Sequence, residues 1–314
     1  MLFTPSADVS FSPYFTNVSV NYLQDGARFG GHMAAPVVMS ETDSGVYRKF
    51  SIADINRDEV GPLAPGSRPV STWTETSKPT FKCDAFGLEE RIPTLIEANQ
   101  YGYSVVQQAV KTLTGKMMIH QERAFASQFM KTGVWQADDS SVDWTAADAS
   151  PVADVWDAKS DFEKNSGVMA TDIIISRDVA YMVRESKPLR DRQDQTSSAP
   201  INNSDLANWW GVRSVHVMGA SYNSAARKST NTATMTDISS RDLLIVHLPA
   251  APSIDTPAAF YKFCWNPLGM STLVNVEIIP DRVNLETVVR VTAAWDYKVV
   301  AKEAGSFFND ITIA

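Results

Sequence analysis

The chain has 314 residues, 44% of them hydrophobic and 20% charged, with eight tryptophans, enough to bury one large core or two smaller ones. Its net charge is −8 and its pI about 5.1. The most basic run, ARKS at Ala226–Ser229, holds only two cations, so a tight grip on nucleic acid through phosphates is disfavoured, whereas weak or repulsive contact is not. No apolar run approaches the roughly 18 residues of a membrane span. The opening MLFTPSADVSF lacks the basic and apolar regions of a secretory signal. Cys83 and Cys264 lie far apart with nothing to suggest pairing, so synthesis in a reducing cytoplasm is expected.

The first forty residues read as an irregular arm, interrupted by Pro5, Pro13, Pro36 and the FGG of Phe29–Gly31. Phe3, Phe11, Tyr14, Phe15 and Tyr22 are spaced as aromatic anchors of an extended chain lying across another surface. A strand-like run VYRKFSI (Val46–Ile52) leads to the stretch RDEVGPLAPGSRP (Arg57–Pro69), with three prolines, two glycines and four charges. The return, Val70–Phe86, is rich in Thr and aromatics, with Phe81, Cys83 and Ala85 expected on one side. Lys78 and Pro79 suit an edge. Together the arms make a long hairpin, and an isolated two-stranded hairpin is marginal at best, so this one must rest on something else.

Ser104 with Gln107 is a capping-box pattern and Gly133 a natural glycine after a helix end. Between them Val106, Val110, Leu113, Met117, Phe125 and Phe129 recur at mostly three- and four-residue steps, while Lys111, Lys116 and Arg123 face elsewhere. The spacing predicts one long amphipathic helix over about 105–132, a spine about 42 Å long at 1.5 Å per residue. The middle is α/β: a helix opened by Ser150-Pro151 and stopped at Gly167, strand DIIIS (Asp172–Ser176), helix RDVAYMVRES, a polar loop from Arg190 to Asn203, a short helix LANWWG, strand VRSVHVM (Val212–Met218) and strand LLIVHL (Leu243–Leu248). The end, VNVEII and ETVVRVTAAWDYKVVA, alternates as a half-exposed antiparallel sheet does.

No phosphate-loop, dinucleotide or nucleophile-elbow motif occurs, and the four histidines show no metal-ligand spacing. His216 and His247 fall in predicted strands and are the best metal or general-base pair on offer, though hydrogen-bonded sheet residues are the simpler expectation. Glu89-Glu90 and Asp138-Asp139 read as solvated turns, and Trp209-Trp210 as packing between helix and sheet. The Asn-x-Ser matches at Asn17 and Asn202 are expected to be chance in a chain without a secretory signal. No catalytic residue, metal ligand or cofactor site is assigned. An enzyme with the hairpin as a lid stays as the alternative from a different class.

The ordered series FGGHMAAPVVMSETDSGVYRKFSIADINRDEVGPLAPGSRP, FKCDAFGLEERIP, ERAFASQFMKTGVW, KNSGVMATDIIISRDVAYMVRES and LANWWGVRSVHVMGASYN resembles the major capsid proteins of tailed bacteriophages, the Hong Kong 97 fold. Within that group it is similar to a subfamily from phages of actinobacteria and related hosts. The resemblance implies an α+β fold with an N-terminal arm (1–44), an E-loop hairpin (45–88), a peripheral domain with the spine helix (89–149), an axial α/β domain (150–265) and a terminal β-sheet of the peripheral domain (266–314). It implies a non-enzymatic structural protein made in the host cytoplasm and located in the virion. Hexamers and pentamers of this chain would form an icosahedral shell with a portal, and with scaffold or decoration proteins as further partners. The shell would loosely enclose double-stranded DNA and involve no membrane. In such a protein the E-loop reaches over a neighbouring subunit.

Arg57, Asp58, Glu59, Pro62, Pro65 and Arg68 are then the intersubunit contact candidates: the prolines lower the entropy lost on docking, and the charges can set register. An encapsulin-like compartment shell is the alternative with the same architecture. Some relatives begin with a cleaved scaffolding region. Here the arm starts almost at Met1, so a separate scaffold or unaided assembly is expected. Some relatives also crosslink a loop lysine to a neighbour's asparagine beside a glutamate. The tip here carries Arg57 and Arg68 but no lysine, so crosslinking is expected to be absent, although Lys49, Lys78 and Lys82 on the arms could face Asn275 or Asn284 beside Glu277 or Glu286.

Overall fold

The computed structural model describes residues 27–50, 52–63, 65–98, 104–140, 142–145, 149–186, 189–191, 200–225, 234–251, 258–265 and 274–312. The anchors Phe3, Phe11, Tyr14, Phe15 and Tyr22 lie outside them, as do the ARKS run and most of the polar loop after Arg190. From Gly30 onward the expected irregular arm is corrected: helix α1 (Gly30–Ala34) leads into strand β1 (Val37–Ser40). The glycines that read as breakers serve close packing instead. A Cβ on Gly30 would come within 2.4 Å of the Val217 carbonyl oxygen, and one on Gly31 within 2.5 Å of the Phe125 ring.

The VYRKFSI strand is also corrected, because it is split. Strands β2 (Ser44–Val46) and β3 (Lys49–Phe50) precede helix α2 (Ile52–Ile55), and the returning arm supplies β4 (Thr76–Ser77) and β5 (Thr80–Lys82). β2 pairs with β5 and β3 with β4, both antiparallel. Pro79 has no N–H to offer the ladder and interrupts it. Its carbonyl still accepts from Tyr47 N–H at 3.1 Å. Phe81 and Cys83 are buried as expected, but Ala85 is exposed. Cys83 lies between β5 and the long strand β6 (Asp84–Pro93), outside both, so the alternation changes parity there.

After helix α3 (Thr94–Ala98) comes the spine, α4 (Val105–Phe129), about 37 Å of helix at 1.5 Å per residue. The Ser104 hydroxyl accepts from Gln107 N–H at 3.3 Å. The helix stops at Phe129, three residues short of expectation, where the Trp135 indole N–H takes the Phe129 carbonyl at 2.8 Å and satisfies an orphan acceptor of the last turn. All six stripe residues named from the sequence are buried, and Lys111, Lys116 and Arg123 are exposed.

The remaining elements are β7 (Ala137–Ser140), α5 (Pro151–Ser166), β8 (Asp172–Ser176), α6 (Arg177–Glu185), α7 (Asn203–Trp210), β9 (Ser214–Met218), β10 (Ser221–Asn223), β11 (Met235–Asp237), β12 (Leu243–Val246), β13 (Phe260–Trp265), β14 (Asn275–Asp281), β15 (Glu286–Val299) and β16 (Gly305–Asn309). Gly167 and Gly211, at φ +71° and +61°, end α5 and α7 in the left-handed conformation that glycine adopts without a Cβ penalty.

Two five-stranded sheets organise the molecule. One runs β1-β13-β15-β14, with β6 also paired along β15. The spine crosses one of its faces, while the other presents Glu89, Arg91 and Arg290 as an ion-paired surface. The second sheet runs β7-β16-β12-β8-β9. Its strand DIIIS is buried at all five positions, which is why its sequence shows an unbroken apolar run instead of an alternation.

Candidate functional site

The hairpin is anchored at its root and uncovered beyond it. Val38, Tyr47, Phe81, Cys83, Ala258, Tyr261 and Phe263 form a separate small core beneath the root. Phe81 stacks on Phe263 with centroids 4.2 Å apart and planes 4° from parallel, and Tyr47 stacks on Phe263 at 5.5 Å. Lys82 N–H donates to the Asp296 carboxylate at 2.9 Å, and Lys49 faces Glu303 at 3.6 Å. The arms therefore do have a core, but only at the base. Farther out, the Asp54 carboxylate accepts from Glu75 N–H at 3.0 Å and ties the two arms together.

Past that point the chain is exposed. Arg57 pairs with Asp54 at 3.6 Å and Glu59 at 3.4 Å, and the Asp58 carboxylate accepts from Val60 N–H at 3.2 Å. The structure thus brings Arg57, Asp58 and Glu59 together in one local turn. Pro62, Pro65 and Arg68 stand farther along, all exposed. Four apolar residues absent from the candidate set share this surface: Val60 (93% exposed), Leu63, Val70 and Trp73 (84% exposed). Their signal in the sequence is that of large apolar side chains in a stretch with no periodicity to bury them, set beside a dense run of charge.

The other chemical candidates are structural. His216 and His247 do not meet, because β8 lies between β9 and β12. His247 Nδ1 is 2.7 Å from the Met169 carbonyl. His216 Nε2 lies 3.4 Å from Asp172, which also receives Ser214, Thr171 and Arg213 at 2.5–2.7 Å. Burial alone would raise the Asp172 carboxyl, but these donors outweigh it and hold the group at about 2. Glu89 is held below the usual carboxylate range by hydrogen bonds from Arg91 and Arg290. Asp138 accepts from Gly133 N–H, and Asp139 lies beside it in β7. Trp210 is buried, and the Trp209 carbonyl accepts from the Trp156 indole at 2.9 Å. The described residues contain no group of three or more His, Cys, Asp or Glu able to hold a metal, and no helix long and apolar enough to cross a membrane.

A split hairpin rooted in a small aromatic core, a long helix laid across an antiparallel sheet and a second α/β sheet make up a fold of the Hong Kong 97 type. Solved structures share this fold. A phage-related protein from Bordetella bronchiseptica RB50 is similar at TM-score 0.72 and 18% identity, over 96% of this chain and 98% of that one. The capsid of cyanophage P-SCSP1u is similar at TM-score 0.58 and 10% identity, over 88% and 86%. The encapsulin complex of Synechococcus elongatus PCC 7942 is similar at 0.53 and 8%, over 89% and 86%. No protein-family model and no curated protein matches the sequence.

Proposed function

We propose that this chain is the major capsid protein of a tailed phage, self-assembling into an icosahedral head around double-stranded DNA. The observation that carries the reading is the loop beyond the hairpin root, whose large apolar residues, Trp73 above all, stand exposed. Large apolar residues left exposed on one loop point to a binding site, and aromatic residues dominate the energetics of such sites. A second copy is the partner that a shell provides. In this reading Arg57, Asp58, Glu59, Pro62, Pro65 and Arg68 set register around an apolar anchor. The chain divides into the arm (1–44), E-loop (45–88), peripheral parts (89–149 and 266–314) and axial domain (150–265), with strands exchanged across these bounds: β13 pairs in the spine's sheet, and β7 and β16 in the second. The net charge of −8 suits a container that must release DNA, since few phosphates are neutralised. Portal, scaffold and decoration proteins complete the virion.

Non-covalent contacts hold this shell. Lys49 faces Glu303, Asn275 is buried, and the Asn284 amide donates to Asp281 at 2.8 Å, so the arm lysines have no ready asparagine. The shared fold with an encapsulin keeps a compartment shell as the second reading. Particle contents separate the two. Particles isolated from a phage lysate should carry nuclease-protected DNA, and after boiling in detergent their protein should run as a single band near 34.5 kDa. A cargo enzyme in place of DNA would favour the compartment, and a ladder of multimers would show a crosslink.

A further inference from the structure

The spine helix carries its apolar stripe from Met117 to Phe125, yet between them Gln121 and Glu122 are polar and essentially unexposed, at 1% and 0%. His32 of α1, Lys262 of β13 and Tyr297 of β15 are buried beside them. Lys262 Nζ lies 3.2 Å from His32 Nδ1 and 3.3 Å from Gln121 Oε1, and the Tyr297 hydroxyl lies 3.3 Å from the same His32 nitrogen. The two Glu122 oxygens accept from Gly31 N–H at 3.1 Å and His32 N–H at 2.6 Å. Among the described residues no carboxylate pairs with Lys262, and Gln121 Nε2 has no partner. A half-satisfied buried network holds its elements together less firmly than apolar packing of the same volume.

What this network holds down is residues 28–40, which cross from one sheet to the other. Gly219 N–H donates to the Arg28 carbonyl at 2.9 Å and Phe29 bridges Met218 on β9. At the far end Lys262 N–H donates to the Pro36 carbonyl at 2.9 Å, and β1 forms the edge of its sheet against β13. The segment buries Gly30, Gly31, His32, Ala35 and Pro36, but of β1 only Val38, and it leaves Met33 and Met39 about half exposed (47% and 48%). An edge strand with little buried apolar surface belongs to the low-stability end of a structure.

We propose that residues 28–40 form a releasable strap between the two sheets, seated over the half-satisfied His32–Gln121–Lys262–Tyr297 cluster and able to detach while both sheets stay folded. His32 Nδ1 must be unprotonated to accept from Lys262 and Tyr297. Once protonated, it becomes a donor aimed at two donors, beside an ammonium group. Burial, and then the Lys262 charge, hold the His32 pKa well below 6.5. The stabilisation from neutral His32 is therefore complete above pH 6.5 and is lost as pH falls toward the lowered value. Glu122 acts in the opposite sense. Burial raises its carboxyl to about 7 against the pull of the His32 and Gly31 N–H groups, so between the ordinary 4.5 and about 7 the docked strap keeps a proton that the free strap releases. The two groups oppose each other wherever their intervals overlap, so a residue at 122 that cannot ionise leaves His32 alone to drive release. Burial lowers Lys262 to about 8, so docking strengthens as pH rises from 8 toward the ordinary 10.5. Burial raises both the Tyr297 phenol and the Cys264 thiol, so both stay neutral throughout the acid range.

Hydrogen exchange on the full-length chain tests the strap, read as protection factors to remove the intrinsic pH dependence. With Glu122→Gln removing the opposing group, protection of residues 37–40 should fall as pH drops below 6.5, by up to about tenfold per pH unit, the effect of one proton, while residues 172–176 keep theirs. Equal loss in both segments would overturn the proposal, because the strap would then open only with the whole domain. At pH 7, Lys262→Met should leave protection at 37–40 equal or higher, because apolar replacement of a buried charge is often neutral or stabilising. Lower protection there, or a chain that fails to fold, would show Lys262 to be a structural support and also overturn it.

Discussion

Phe125→Ala should lower the unfolding free energy by about 3–5 kcal/mol, the usual cost of emptying a phenylalanine site in a core. The side chain is fully buried midway between the spine and the sheet below it. Its ring meets Phe129 at 4.9 Å, Phe260 at 5.5 Å and Tyr297 at 5.9 Å, all nearly edge-on, and Gly31 packs against it from the N-terminal side. Because those neighbours come from four different elements, collapse into the vacated space would require all of them to shift, which places the expected cost in the upper half of the range. Chemical denaturation of wild type and variant measures it. A variant as stable as wild type would mean that the spine does not depend on this face.

Deleting Asp58 to Ser67 should leave a folded subunit that no longer assembles. The root core around Phe81 and Phe263 lies outside the deletion, as does the Asp54–Glu75 hydrogen bond that closes the arms. The described residues lost are exposed apart from half-buried Glu59, and surface changes of this kind cost the fold little. Circular dichroism and thermal melting should match wild type, whereas sedimentation should show only small species. Normal assembly of the deletion variant would remove the loop from the intersubunit contact.

Much of this architecture is readable in the sequence where a physical period survives. The spine follows from Val106, Val110, Leu113, Met117, Phe125 and Phe129, and the eight-residue gap before Phe125 marks the place where Gln121 interrupts the stripe. Strand DIIIS and the left-handed glycines ending α5 and α7 are equally plain. Strands β13 and β16 were missed because FYKFCW and GSFFN are buried on both faces and show no alternation, and Lys262 in the first argues locally against a core position. Residues 30–40 were misread because FGG and Pro36 are local breakers, while the reason for the glycines is tertiary: Val217 and Phe125 press against them. In the loop, the charges of Arg57, Asp58 and Glu59 were legible as a polar turn. The importance of Val60, Leu63, Val70 and Trp73 emerges only when the fold leaves them uncovered.

The central claim is that the fold and the uncovered loop make this chain a shell subunit. Negative-stain electron microscopy of the purified full-length chain tests it most directly. The account predicts closed, hollow, uniformly sized particles with angular outlines. A field of dispersed molecules near the 34.5 kDa chain mass, at concentrations and salt conditions that favour assembly, would contradict it.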